Sequence, residues 1–348
     1  MSEKLLVTVG PHHHAPDTVA RIMWEVTLAL LPAFLVSLYV FGGRALVVTV
    51  CAVLGAVVGE ALVQACFLKK PVTLADGSAV LTGVLLAFCV PAALPWWTAF
   101  IGGFAGIVFG KQVYGGLGQN IFNPAHIARA ILLASWPVYM TTWLKPGVAA
   151  GLTGAVDGLT AATPLGLMKE TLRNPDLMNT LQASGTTVLQ YTFQTLDIGW
   201  SNLLVGTIGG SLGETGKIAL LLGGIFLLVR NHISWHTPVT MMGTVFLGAL
   251  MITRDPSLAF FHLFSGGLFL GAFFMATDMV TTPMTKTGHL LFGVGCGAIT
   301  LLIRFKGGYP EGVCYSILIM NAFVPLIDKI TVPHRFGEVL PVPQEVKA

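Results

Sequence analysis

The chain has 348 residues, of which 54% are hydrophobic and only 10% charged, and its mean hydropathy is +0.77. Soluble domains carry about 25% charged residues, so the composition argues against a water-soluble fold, and forty-one glycines suit transmembrane helices that approach closely. A net charge of +3 with no basic patch interleaved with aromatics sets aside a nucleic-acid partner. Cys51, Cys66, Cys89, Cys296 and Cys314 each fall in an apolar run without a paired CxxC spacing. They read as small buried hydrophobes, not as ligands of a zinc or iron–sulfur site built by this chain.

Residues 1–21 are predicted to be a cytoplasmic segment, in which His12–His14 read as part of a solvated tail. The first apolar run begins near residue 22 and no small-residue cleavage site follows it, so the first helix is expected to act as its own insertion signal. A membrane-spanning helix needs about 20 mostly apolar residues. Spans are predicted near 22–41, 45–67, 78–95, 97–114 and 124–143, then near 216–230, 236–252, 257–276, 287–304 and 311–328. Several are short and interrupted by Gly or Pro, as at Pro91 and Pro95, which is tolerated where the unwound backbone faces protein or a cavity.

With the N-terminus inside, Lys69, Lys70, Lys111, Arg129, Arg230, Lys286, Lys329, Arg335 and Lys347 fall on the cytoplasmic side, against Arg44, Arg254, Arg304 and Lys306 outside. The predicted fold class is therefore an all-α polytopic membrane protein of about ten spans. A first five-helix half covers 22–143, a polar extracytoplasmic insert 144–199, a second five-helix half 200–328 and a cytoplasmic tail 329–348. Residues 81–88, Lys111, Gly115-Gly116 and Asn123 are echoed by 265–274, Arg304, Gly307-Gly308 and Asn321. Five spans per half would make such repeats inverted; generic Gly/Leu similarity accounts for the echo equally well.

Within the insert, residues 157–163 read Asp-Gly-Leu-Thr-Ala-Ala-Thr. Thr163 precedes Pro164 and a short amphipathic stretch to Leu172, which makes it a natural helix N-cap with Pro at the first helical position. Asp157 and Thr160 suit turn chemistry. The run also resembles the signature at which a flavin transferase joins the phosphate of FMN to a threonine hydroxyl. That resemblance makes Thr163 the acceptor and gives Asp157 and Thr160 to recognition by the transferase. A phosphate ester there would meet the free N–H groups and positive dipole end of the helix, so the capping and cofactor roles are compatible.

Further along, Asp278 ends an apolar run. An ionisable group at membrane depth is a functional candidate by default, which makes Asp278 a candidate for ion coupling; its structural alternative is a helix cap at the cytoplasmic interface. Glu25 and Glu60, in the first two spans, are weaker cases. Lys111 and Arg129 read as helix ends or lipid contacts, with the alternative that one offsets the charge of a flavin, while Asn120, Asn123 and Asn321 suit satisfaction of broken-helix backbone.

Further segments, spread over nearly the whole chain in order, resemble the RnfD/NqrB family, the large flavoprotein subunits of the Rnf complex and of the sodium-pumping NADH:quinone reductase. They are Pro11-His12, Asp76-Gly77-Ser78-Ala79, the run from Gly110 to Asn120, Phe122-Asn123-Pro124-Ala125, Phe274 to Asp278, Gly307 to Gly312, and Met320-Asn321. The short N-terminus and the Asp-Gly-x-Thr form of the flavin motif are closer to RnfD than to NqrB. The resemblance implies an inner-membrane subunit that relays electrons through covalent FMN and helps couple ferredoxin/NAD electron transfer to Na+ or H+ translocation. Its implied partners are the iron–sulfur and flavoprotein subunits of the complex, the flavin transferase and membrane lipid; a noncovalent riboflavin is implied as in some members. No Rossmann fingerprint is present, so NAD is expected to bind elsewhere. The competing readings are an NqrB-like subunit, a solute channel or secondary transporter in which Thr163 only caps a helix, and a passive assembly scaffold.

Overall fold

A computed structural model describes residues 18–69, 71–146 and 162–333, and among these the chain is helical throughout, with no strand. In chain order the helices are α1 (Val19–Ala29), α2 (Leu31–Phe41), α3 (Gly43–Leu62), α4 (Ser78–Phe88), α5 (Trp96–Gly110), α6 (Pro124–Ser135) and α7 (Pro137–Thr141). Four shorter helices follow, α8 (Pro164–Arg173), α9 (Pro175–Ser184), α10 (Val188–Leu196) and α11 (Trp200–Val205). The remainder are α12 (Lys217–Val229), α13 (His236–Thr253), α14 (Pro256–Phe264), α15 (Leu268–Leu270), α16 (Lys286–Phe305) and α17 (Val313–Ile330). Their boundaries follow local chemistry: Thr18, Asn123, Asp255 and Thr285 cap α1, α6, α14 and α16 with side-chain oxygens, and Pro124 and Pro256 occupy first positions where no N–H is needed.

Five helical stretches are long and apolar enough to cross a membrane: Val19–Phe41, Gly43–Phe67, His236–Thr253, Lys286–Phe305 and Val313–Ile330. A sixth results if Pro256–Phe264 and Leu268–Met275, which meet at 65°, count as one broken span. The chain is a multi-pass membrane protein. The segment predicted near 216–230 forms a 13-residue helix within one residue of its expected ends, while those near 78–95, 97–114 and 124–143 form helices of 11, 15 and 12 residues, shorter than the sequence pattern suggested. The reason is visible at their ends. Helix α4 stops at Phe88, and the unwound Val90 carbonyl accepts from Leu212 N–H at 3.2 Å. Ser37 Oγ donates to the Leu212 carbonyl at 2.9 Å and lies 3.1 Å from Thr215 Oγ1. A second junction joins α6 and α17: the Asn321 amide nitrogen donates to the Thr281 and Ile317 carbonyls at 3.1 and 3.2 Å, and its oxygen accepts from Asn123 N–H at 3.1 Å. Side chains and other unwound segments thus satisfy broken backbone that no water reaches.

Glycine sets how closely the long helices meet. A Cβ on Gly103 of α5 would lie 2.1 Å from the Ala52 carbonyl oxygen of α3, and one on Gly55 of α3 would lie 2.0 Å from that of Phe100. Helices α13 and α16 approach similarly, with a Cβ on Gly297 falling 2.8 Å from the Met241 carbonyl oxygen. The obstacles are backbone atoms that cannot swing aside. Gly103→Val is therefore expected to destabilise the protein by at least the ~1–3 kcal/mol typical of overpacking, read as a lower unfolding midpoint in detergent; an unchanged midpoint would show that α3 and α5 do not meet at this position.

Candidate functional site

Thr163 accepts a hydrogen bond from Gly166 N–H through Oγ1 at 3.0 Å and caps α8. Helix α8 is fastened by its basic side chains. Lys169 Nζ donates to the carbonyls of Ile303 and Tyr309 at 2.8 and 2.6 Å, and Arg173 donates to that of Gly307 at 2.6 Å. These carbonyls belong to the last turn of α16 and the loop beyond it, where helical acceptors lack partners and the dipole favours cations. Burial and the neighbouring Arg173 hold the Lys169 ammonium below the usual lysine range. Leu165 and Met168 of α8 pack with Leu189, Leu203, Ile208 and Phe261, so the short helices share a small apolar core with α14. As a result Thr163 is only 7% exposed.

Thr163 opens on a cavity whose wall includes Arg129, Trp143, Glu214, Tyr309, Glu311 and Tyr315. Arg129 Nη2 bonds Glu311 Oε2 at 2.8 Å, and Gly267 N–H donates to the other Glu311 oxygen. Burial alone would raise the Glu311 carboxyl, but the Arg129 charge and hydrogen bond, the Gly267 N–H and the charge of Arg304 outweigh it and leave it below the ordinary glutamate range. Tyr309 and Tyr315 stack with ring centroids 5.8 Å apart. A hydroxyl at a helix N-terminus, a guanidinium and several aromatic faces are the donor set that a flavin tethered through its phosphate would use. The residues present fit that group.

The other candidate lies elsewhere. Asp278 follows the π-helical turn Gly271–Met275, accepts from Thr281 Oγ1 through Oδ2 at 3.0 Å and lines a second cavity with Ser78, Lys111, Asn120, Asn123 and His232. On its wall Lys111 Nζ donates to Glu60 Oε1 and Ser78 Oγ, both at 2.6 Å; the Lys111 and Glu60 side chains are 2% and 1% exposed. Gln64 and Gln112 add amide donors to the same Glu60 oxygen at 3.1 and 2.9 Å. Lys111 ends α5, as its sequence position suggested, and is half of a buried ion pair; Arg129 lies within α6 and is half of a part-buried one. Glu25 bonds Arg21, Arg230 and His232 at 2.9, 2.7 and 2.5 Å. Asp157 and Thr160 lie outside the described residues, as do His12–His14, Lys70, Arg335 and Lys347. Among the described residues no His, Cys, Asp and Glu cluster could hold a metal ion.

Sequence reasoning left out Glu214, Tyr309, Glu311 and Tyr315 as site residues. The signal for Glu214 was an acid in the small-residue run Ser211-Leu-Gly-Glu-Thr-Gly216, just ahead of a predicted span. For Glu311 and Tyr309 it was the polar turn Gly307–Gly312, which carries no hint of its distance from Arg129, 182 positions earlier.

Comparison with known proteins places this geometry. A family model described as the NQR2, RnfD, RnfE family matches residues 6–337. The chain is 47% identical over 338 residues to the D subunit of the proton-translocating ferredoxin:NAD(+) oxidoreductase complex of Clostridium ljungdahlii, covering 95% of this chain and 96% of that protein. It is 43% identical to the D subunit of the Na(+)-translocating ferredoxin:NAD(+) oxidoreductase complex of Acetobacterium woodii, over 99% of this chain and 98% of the relative. It is also 43% identical to the D subunit of the ion-translocating oxidoreductase complex of Stutzerimonas stutzeri, over 92% of this chain and 93% of the relative.

The Arg129–Glu311 pair yields two expectations. Arg129→Met strands a buried carboxylate and should destabilise by about 3–5 kcal/mol, whereas the double change Arg129→Met with Glu311→Leu should recover much of the loss. Because the folded-state Glu311 carboxyl is depressed, its stabilisation is present above the unfolded glutamate value of about 4.3 and is lost as pH falls through the lower folded value. Unfolding midpoints against pH should therefore drop on the acid side in the wild type and flatten in Glu311→Gln; parallel curves would remove Glu311 from the account.

Proposed function

Because the chain belongs to the NQR2, RnfD, RnfE family, we propose that it is the D-type membrane subunit of an Rnf-type ion-translocating oxidoreductase. In this reading it resides in the bacterial inner membrane and relays electrons through FMN esterified to Thr163. Its relatives support the complex: they are D subunits of ferredoxin:NAD(+) oxidoreductases that translocate protons in one case and sodium in another. The observation that carries the flavin reading is the position of Thr163, a helix-capping hydroxyl opening on a cavity walled by Arg129, Tyr309 and Tyr315.

The tethered flavin supplies the capacity to accept and pass on single electrons between carriers. The chain's own residues do the rest. Thr163 fixes the attachment point, and α8 presents backbone N–H groups to the phosphate. Tyr309, Tyr315 and Trp143 offer ring faces. Arg129, clamped by Glu311, holds a positive charge in place so that little reorganisation accompanies a change of charge in the cavity. Asp157 and Thr160 complete the signature read by the flavin transferase. Asp278 is the ion-coupling residue, in a cavity whose mixed apolar and amide walls also suit a noncovalent riboflavin. The close pairings α3 with α5 and α13 with α16, and the two interlocked breaks, support two five-helix halves of inverted topology around an extracytoplasmic insert of 144–199. In that arrangement α4, α5, α6, α12 and α14–α15 are the shorter spans that bring the count to ten.

Protein isolated from cells possessing the transferase, denatured and run on a gel, should fluoresce under ultraviolet light at the mass of this chain. The peptide spanning 146–169 should carry one FMN less water on Thr163, and Thr163→Val should abolish both signals; an unmodified peptide from such cells sinks the flavin assignment. For Asp278, the complex carrying Asp278→Asn in vesicles should keep most of its electron transfer while losing ion uptake severalfold, and equal loss of both would withdraw the coupling role.

A further inference from the structure

Two acids line the Thr163 cavity, and they are held very differently. Glu311 is clamped by Arg129 and by Gly267 N–H. Glu214 forms no ion pair among the described residues and is 4% exposed. Its Oε1 accepts from Ser211 Oγ at 3.1 Å. Lys217, one turn further along, would be its natural counter-ion, yet Nζ donates to the Glu214 main-chain carbonyl at 2.6 Å. The carboxyl packs so tightly on Gly210 that a Cβ there would lie 2.3 Å from Oε2. Its backbone is pinned at the α4 break: Ser211 bridges to Pro91, Leu212 N–H bonds the Val90 carbonyl, and Ser37 holds the Leu212 carbonyl.

Opposing influences meet at this carboxyl. Burial with a single hydroxyl donor favours the neutral acid, while the positive charges facing it favour the carboxylate. Those charges are Lys217 from α12, Arg129 from α6 and Arg304 from α16, with Glu311 from the loop before α17 acting against them; burial and Glu311 prevail and push the Glu214 carboxyl up to about 8. One further negative charge in the cavity tips this balance further toward the neutral acid, so Glu214 binds its proton more tightly.

We propose that Glu214 is a proton-loading residue of this cavity. It rests on the reading that Thr163 carries a flavin. Glu214 is only partly protonated while that flavin is oxidised, and takes up the balance of a proton from the outer aqueous phase when a partner protein's one-electron carrier, an iron–sulfur or flavin centre, delivers one electron. The electron leaves to the next carrier and the proton taken up leaves Glu214, so part of the added charge is offset while the flavin is reduced. Glu214 touches no reacting atom in this account; it acts by sign and position.

Redox-difference infrared spectroscopy on the intact complex tests this. On reduction, the carbonyl stretch of a protonated carboxylic acid should appear in the wild type, be lost in Glu214→Gln and return, shifted, in Glu214→Asp. The midpoint potential of the bound flavin should fall with rising pH, and Glu214→Gln should flatten that slope. In Thr163→Val protein, which holds no flavin, the same band should grow as pH is lowered and be missing from Thr163→Val/Glu214→Gln. Wild-type protein without gel fluorescence would overturn the flavin reading while the titration in Thr163→Val still scores Glu214. A band or a slope that survives Glu214→Gln overturns the proposal.

Discussion

A peptide group inside a bilayer has no water to turn to, and the architecture of this chain follows from how it meets that constraint. The long helices satisfy themselves. The short ones end inside the protein, and their loose ends are tied to one another: Val90 to Leu212, Ser37 to Leu212 and Thr215, Asn123 to Asn321, and Asn321 to Thr281. Irregular backbone of this kind can carry polar groups into depths where a continuous helix would present only side chains. Glu214, Asp278 and the Asn120–Asn123 turn all sit beside such breaks, and each lines a cavity. The candidate chemistry is thus a product of interrupted helices.

Charge is treated with the same economy. Apart from carbonyl acceptors, the buried Lys111 and the part-buried Arg129 each meet a glutamate directly. Such pairs add little net stability over apolar packing, but losing one partner is costly, which fixes the surrounding geometry. The Lys111–Glu60 pair, backed by Ser78, Gln64 and Gln112, stands at the wall of the Asp278 cavity; the Arg129–Glu311 pair stands at the wall of the Thr163 cavity.

Much of this was legible in the sequence, and the reasons differ by element. Val19–Phe41, Gly43–Phe67 and the last two long helices announce themselves as continuous apolar runs, and the Thr163-Pro164 step specifies a helix start through side-chain and ring geometry that needs no tertiary context. The unwound end of α4 was not legible in extent, because apolar residues such as Cys89 and Val90 look alike in a helix and in a break packed against another segment. Arg129 and Glu311 were visible as charges but not as a pair, since nothing local encodes a contact between positions 182 apart. The packing on Gly103 and Gly55 was foreshadowed only as a surplus of glycine.

The footing of α8 bears on how the molecule can move. Lys169 and Arg173 grip the final turn of α16 and the loop beyond it, and that loop also supplies Tyr309 and Glu311 to the Thr163 cavity. Anchor point, aromatic wall and acid partner are therefore mounted on one strut, and Arg129 rivets that strut to α6. Displacing α6 from the strut would expose two buried charges at once, so rigid-body swinging at this end is disfavoured. Conformational change at this end is therefore confined to small local shifts around a Thr163 cavity whose walls keep their spacing.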